Sequence, residues 1–72
     1  MTNIRKLKAT MFLKEIDTKT LASKCGLDYK NLLRKLRENN DWSLKQVQAV
    51  SKALELTDEE FVEIFKGEDN GL

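Results

Sequence analysis

Apolar residues recur at spacings of three and four in five short segments of this chain, the spacing that forms one face of an α-helix. Sustained alternation of apolar and polar residues, the mark of a strand, does not occur, and no proline interrupts the helical segments. We therefore predict a compact all-α fold of five helices. The 72 residues allow one domain, which we place at 1–67, followed by a frayed polar tail at 68–72.

Capping residues predict where these helices begin. The first is expected from about Thr2 to Lys14. Asp17 and Asp28 can cap the second and third, because a carboxylate accepts hydrogen bonds from the free amides of the first turn. The fourth and fifth open with capping-box patterns at residues 43–46 and 57–60. The side chains expected on the inner faces are Ile4, Leu7, Met11, Phe12, Leu21, Ala22, Cys25, Leu32, Leu33, Leu36, Leu44, Val47, Val50, Ala53, Leu54, Phe61, Ile64 and Phe65.

The residue types present exclude several kinds of chemistry. One cysteine, Cys25, and no histidine leave no intramolecular disulfide and no common zinc-ligand pattern, so we expect no metal and no cofactor. No nucleophile–base pair or glycine-rich phosphate loop occurs, and we predict a protein that is not an enzyme and has no small-molecule substrate. The absence of a long apolar run favours a cytoplasmic protein without membrane contact.

Charge is divided unevenly along the chain. Residues 1–37 carry ten basic and three acidic side chains, a formal charge of +7, whereas residues 38–72 carry three basic and nine acidic ones, a formal charge of −6. Such asymmetry suggests a polyanionic partner for the first half. The alternative is an ordinary helical surface with mixed charges, and charge by itself does not decide between them.

Residues 21–27 read Leu-Ala-x-x-x-Gly-Leu and lie between two predicted helices. A small residue, Ala22, lets two helices approach closely, and Gly26 can take the left-handed conformation that ends a helix. Leu27 can fill the corner between the helices, while Leu32 and Leu36 attach the second helix to the core. This is the geometry of two short helices joined by a tight turn.

In these residues the chain resembles the lambda-repressor-like family, also called the XRE family, which includes phage Cro proteins and repressors. The resemblance covers about residues 4–66 and is strongest at 21–32 (LASKCGLDYKNL) and 47–56 (VQAVSKALEL). It implies a helix-turn-helix in the second and third helices. It also implies a transcriptional regulator that occupies a DNA operator as a dimer, usually in a phage or another bacterial mobile element.

The resemblance implies that the helix from Asp28 lies in the major groove of DNA. The candidates for contact with base edges are then Tyr29, Lys30, Asn31 and Arg34. Contacts with phosphates are expected from Thr18, Lys35, Arg37, Asn40, Ser43 and Lys45. The family often has Gln where this chain has Thr18, which puts a side-chain contact there in doubt. For each candidate the alternative is a solvated polar side chain with no ligand.

Two further expectations concern partners. A homodimer contact can form through four apolar residues of the fifth helix, Phe61, Val62, Ile64 and Phe65. Such a dimer would bind two DNA half-sites about 34 Å apart. Alternatively, these four side chains serve the core of the single chain alone. A different function on the same fold also stays open, a protein-interaction module such as an antirepressor or phage accessory factor. Its basic half would then meet an acidic protein surface.

Overall fold

Five α-helices and a π-helical segment make up the computed structural model, which describes residues 2–38 and 42–66, with only the backbone of Lys66. Within these ranges the chain is entirely helical and loop, without strands, so the all-α prediction is confirmed. The predicted tail at 68–72 lies outside the described residues. The elements are α1 (Ile4–Leu13), α2 (Thr18–Cys25), α3 (Tyr29–Glu38), α4 (Leu44–Leu54), α5 (Asp58–Phe61) and the π-helical segment Val62–Lys66.

Capping side chains set the helix boundaries as predicted. Asp17 Oδ1 accepts a 2.7 Å hydrogen bond from the backbone N–H of Thr20, and Asp28 Oδ2 accepts one of 3.2 Å from that of Asn31. Both predicted capping boxes are complete, with reciprocal side-chain to backbone hydrogen bonds at the starts of α4 and α5. Each cap satisfies amides that the helix itself leaves unpaired.

The start of α1 differs from the prediction. Asn3 is its N-cap, since its Oδ1 accepts a 3.1 Å hydrogen bond from the N–H of Lys6. The N–H of Asn3 also donates to the carbonyl oxygen of Ile64 at 2.6 Å, and Thr2 beside it is buried. This bond joins the beginning of the chain to the π-helical segment and fixes the direction in which α1 starts.

The core is built from aliphatic side chains of every long helix. In the packing, α2 contacts α3 and α4, while α1 contacts α3 and the π-helical segment. Burial of each such side chain contributes about 1.5–3 kcal/mol. The Cα radius of gyration is 11.2 Å, which is the value of a compact domain of this length. The fully buried side chains are Leu7, Leu21, Leu32, Val50, Leu54 and Ile64.

Two side chains predicted to be buried are exposed instead. Phe12 is 81% exposed, because the buried stripe of α1 runs through Leu7, Thr10 and Met11 and leaves Phe12 on its flank. Leu44 is 71% exposed: its spacing from the α4 core residues is helical, but it is the first residue of that helix and the described part of the chain leaves it open to solvent. Apolar spacing therefore overstates the core at these two positions.

The C-terminal helix changes pitch, which periodicity did not predict. α5 is a single α-helical turn, and the chain continues as the π-helix Val62–Lys66. Phe65 packs against Trp42 edge to face, with ring centroids 6.1 Å apart, and against Phe61 at 5.4 Å. The predicted end of the domain, at residue 67, lies outside the described residues.

Two helices end in the left-handed backbone conformation. Gly26 ends α2 with φ 69° and ψ 27°, and the N–H of Leu27 donates to the carbonyl oxygen of Ala22 at 2.9 Å. Glu55 ends α4 with φ 53° and ψ 51°. A glycine adopts this region without cost, whereas a side chain with a Cβ is strained there.

Substitution of Gly26 by alanine tests the geometry of the turn between α2 and α3. A Cβ at this position meets no atom within 4 Å, so the cost is conformational alone. We expect Gly26→Ala to lower the free energy of unfolding by about 1 kcal/mol, measured by urea denaturation. Glu55→Gly should raise it by up to about 1 kcal/mol for the converse reason. An unchanged denaturation midpoint for Gly26→Ala would contradict a left-handed turn here.

Candidate nucleic-acid interface

α3 has an aliphatic inner face and a cationic outer face. Leu32 and Leu36, one turn apart, are 0% and 3% exposed. Lys30 and Arg34, also one turn apart, are exposed on the opposite side, and Asn31 is exposed beside them. The two leucines hold the helix against the core and thereby keep the polar side chains directed away from it.

Tyr29 occupies the edge of this outer face. It lies three and seven residues before Leu32 and Leu36, a spacing that places it on their side of the helix. As the first residue of α3 it is nevertheless 42% exposed. The structure therefore groups Lys30, Asn31 and Arg34 closely and leaves Tyr29 at the margin of the group.

The preceding helix positions α3 through buried contacts. Leu21 and Ala22 of α2 are buried, and α2 packs against α3 as well as α4. Leu27, in the turn, is half-buried against the core. Asp28 caps α3 through the N–H of Asn31, as predicted for a structural carboxylate. The orientation of the outer face is thus fixed at both its start and its inner side.

The cations of α3 differ in whether they have partners. Among the described residues, no ion pair involves Lys30, Arg34 or Arg37. By contrast, the acidic C-terminal segment is used by α1: Lys6 pairs with Glu63 at 3.1 Å. Lys14, the residue that follows α1, likewise pairs with Glu60 of α5 at 3.3 Å. The negative half of the chain therefore pairs with Lys6 and Lys14 and leaves the outer side of α3 positive.

The predicted phosphate-contacting residues do not form one group. Lys35 is half-buried and its ammonium lies 5.8 Å from the centroid of the Trp42 ring, so it is engaged with that ring. Arg37 and Lys45 are exposed. Ser43 uses its Oγ and its N–H in the capping box of α4, which leaves the hydroxyl proton as its donor. Asn40 lies outside the described residues.

Thr18 is the first residue of α2 and is half-buried. The carboxylate of Asp17 lies at the same helix end, and its hydrogen bond from the N–H of Thr20 holds the pKa of Asp17 below its ordinary value. A negative charge at this position opposes the approach of a phosphate. The Asp17 carboxylate therefore disfavours a phosphate contact at Thr18.

Two cations that sequence reasoning did not select lie next to Arg37. Arg5 and Lys8, on one face of α1, line a groove of about 710 Å³ together with Arg37, and none of the described residues that line it is acidic. All three side chains are exposed. Only the packing of α1 against α3 brings them together, so their spacing in the sequence carries no signal beyond the positive charge of the first half.

The expected dimer contact has little surface left. Ile64 is fully buried and Phe65 is 8% exposed, so both belong to the core of the single chain. Val62 is 39% exposed and Phe61 is half-buried. A contact through these four residues would be restricted to Val62 and the outer part of Phe61, because the other two have no surface to offer.

Other kinds of site receive no support from the described ranges. They contain no cluster of three metal-ligating side chains and no helix with the length and apolar character needed to cross a membrane. Cys25 is half-buried, and this burial raises the pKa of its thiol. A raised pKa disfavours the reactive thiolate, in keeping with a packing role.

Comparison with protein-family models, with curated proteins and with solved structures gives no match for this chain. Any function assigned to it therefore depends on the geometry and charge of its own side chains.

The Asp17 cap predicts a specific dependence of stability on pH. Because the folded-state pKa is lowered, the stabilisation is complete above the ordinary pKa of about 3.9 and is lost as pH falls through the folded value. Asp17→Asn keeps an N-cap acceptor without a titrating group. We expect its unfolding free energy to fall less steeply than that of the wild type in acid, measured by denaturation at a series of pH values. Parallel curves for the two proteins would contradict this role of the carboxylate.

Proposed function

We propose that this chain is a sequence-specific DNA-binding transcriptional regulator of the lambda-repressor-like type, with α2 and α3 as its helix-turn-helix. The observation that carries the proposal is the two-sided character of α3. Lys30 and Arg34 point outward without an ion pair among the described residues, while Leu32 and Leu36 anchor the opposite side. A rigid helix of this kind fits the major groove of B-DNA.

In this proposal the first two turns of α3 read the bases. The guanidinium of Arg34 can donate two hydrogen bonds to O6 and N7 of guanine, and Lys30 can donate to the same atoms. Asn31 can bond adenine through its amide in a bidentate manner. Tyr29, at the edge of the face, is suited to a thymine methyl or a phosphate rather than to a central base pair.

Phosphate contacts would come from cations around this helix. Arg37 extends the outer face of α3, and Arg5 and Lys8 lie in the same groove as Arg37. Lys45 is exposed in the first turn of α4. Such contacts fix the register of a protein on the duplex and supply most of its salt-dependent affinity. Regulation by occupancy of an operator needs no catalytic group. In this proposal the protein acts in the cytoplasm and binds DNA as a homodimer.

Alanine substitutions on the outer face of α3 test base reading. A preferred duplex is first selected from random sequences, and binding is then measured on that duplex and on a random one. Lys30→Ala and Arg34→Ala should each lose about 1–3 kcal/mol on the selected duplex and relax the preference at one base pair. Lys52→Ala is the matched control, since Lys52 is an exposed lysine in a different groove, beside Lys24 and Cys25.

Equal losses on both duplexes would show that these cations contact phosphate rather than bases. The salt dependence separates DNA binding from the alternative of a protein-interaction module. Binding through several phosphates weakens by orders of magnitude between about 50 and 200 mM salt. Undetectable duplex binding at the lower concentration would overturn the proposal in favour of an acidic protein partner.

A further inference from the structure

A second surface of the molecule is apolar and lies on the other side of α1 from its ion pairs. A groove of about 560 Å³ opens between the end of α1, the start of α2 and the side of α3. Its floor is formed by Met11, Ile16, Leu33 and Leu36, and Phe12 stands at its side with 81% of its surface exposed. We call this surface the Phe12 groove. An exposed aromatic ring beside an apolar depression is typical of an interaction site.

The charges at the border of the Phe12 groove indicate what fits it. Lys8 lies one turn before Phe12 on α1, and Glu15 lies three residues after Phe12, beyond the end of the helix at Leu13. All three line the groove. Lys8 and Glu15 are exposed, and neither takes part in an ion pair with another described residue. Arg37 also lines the groove, on the side that it shares with Lys8, and Asp17 lines it two residues after Glu15. The surface therefore carries positive charge at one end, an aromatic side chain in the middle and negative charge at the other end.

From this arrangement we infer that the Phe12 groove binds a second copy of the same chain, with the two α1 helices antiparallel about a two-fold axis near Phe12. A two-fold contact joins identical patches, so each patch must complement its own reversed image. Reversal about Phe12 places Lys8 of one protomer against Glu15 of its partner, twice over. It also presents each Phe12 ring to the groove of the other protomer.

This dimer does not use the C-terminal segment, whose apolar side chains Ile64 and Phe65 are already buried in the core. It can form without DNA, because neither the groove nor its charged ends require a nucleic acid. Exposed ion pairs contribute little individually, so we expect Phe12 to provide most of the affinity and the charges to set the antiparallel register.

The mass of the full chain in solution, without DNA, tests the inference. Sedimentation equilibrium at low ionic strength, from micromolar to millimolar concentration, should show reversible association from 8.3 kDa to twice that mass. Phe12→Ser should raise the dissociation constant by at least about tenfold. Leu44→Ser is the matched control, since Leu44 is similarly exposed but lies outside the groove, and it should leave association unchanged.

Charge reversal gives a second, more specific test. Lys8→Glu and Glu15→Lys each place like charges opposite one another, and each should weaken association by about fivefold. The double variant exchanges the two charges and should restore the wild-type constant. Glu15 already adopts a left-handed backbone conformation, with φ 58°, and a lysine at this position would adopt it at a similar cost. The Glu15→Lys substitution therefore changes the charge without adding backbone strain.

Three results would each overturn the inference. They are a wild-type chain that stays at 8.3 kDa up to millimolar concentration, an equal effect of Leu44→Ser and Phe12→Ser, and a double reversal as weak as the single ones. A monomeric chain that still binds its selected duplex would reject this dimer and leave the proposed regulator intact. A dimer without duplex binding would do the opposite.

Discussion

The burial of Leu32 and Leu36 is the contact on which the rest of the molecule depends. Both side chains enter the core beside Leu21 and Leu7, so one cluster joins α1, α2 and α3. Loss of such a leucine costs about 2–5 kcal/mol, a large part of the 5–15 kcal/mol available to a typical domain. The same contact also determines which side of α3 faces solvent. Stability and the orientation of Lys30 and Arg34 therefore have one physical origin.

Sequence patterns predicted the helix starts well, because these depend on contacts between residues close together in the chain. Capping is a contact over three residues, which is why Asp17, Asp28 and both capping boxes were found where the sequence indicated. The prediction was wrong where the burial of a side chain depends on the end of a helix or on the elements packed beside it. Phe12 has helical spacing but lies on a flank that no other helix covers. The Asn3 cap is a three-residue contact that the sequence prediction missed, whereas the bond from the N–H of Asn3 to the carbonyl oxygen of Ile64 joins distant parts of the chain that no local pattern relates.

The same division holds for the candidate site. Lys30, Asn31 and Arg34 lie on one helix, so periodicity alone places them on one exposed face. Arg5 and Lys8 join Arg37 only through the packing of α1 on α3, which no local pattern reveals. Lys35 illustrates the reverse case. It has the charge and position of a phosphate contact, yet its ammonium lies over the ring of Trp42. Trp42 lies beyond the end of α3, so only folding brings the two side chains together.

The two surfaces of this molecule share a border, and that border couples them. Lys8 and Arg37 line both the basic groove with Arg5 and the Phe12 groove. An occupant of the Phe12 groove therefore changes the electrostatic potential where phosphates are expected to lie. If the occupant is a second copy, its Glu15 neutralises Lys8, and each protomer then depends more on Arg5 and Arg37 for phosphate contact. The cost in long-range attraction is offset because a dimer joins two reading helices in one molecule, and binding of the second half-site becomes intramolecular. Self-association through α1 would thus weaken the nonspecific electrostatic attraction to DNA and hold two α3 helices in a fixed arrangement. This combination favours recognition of a particular sequence over binding to any duplex.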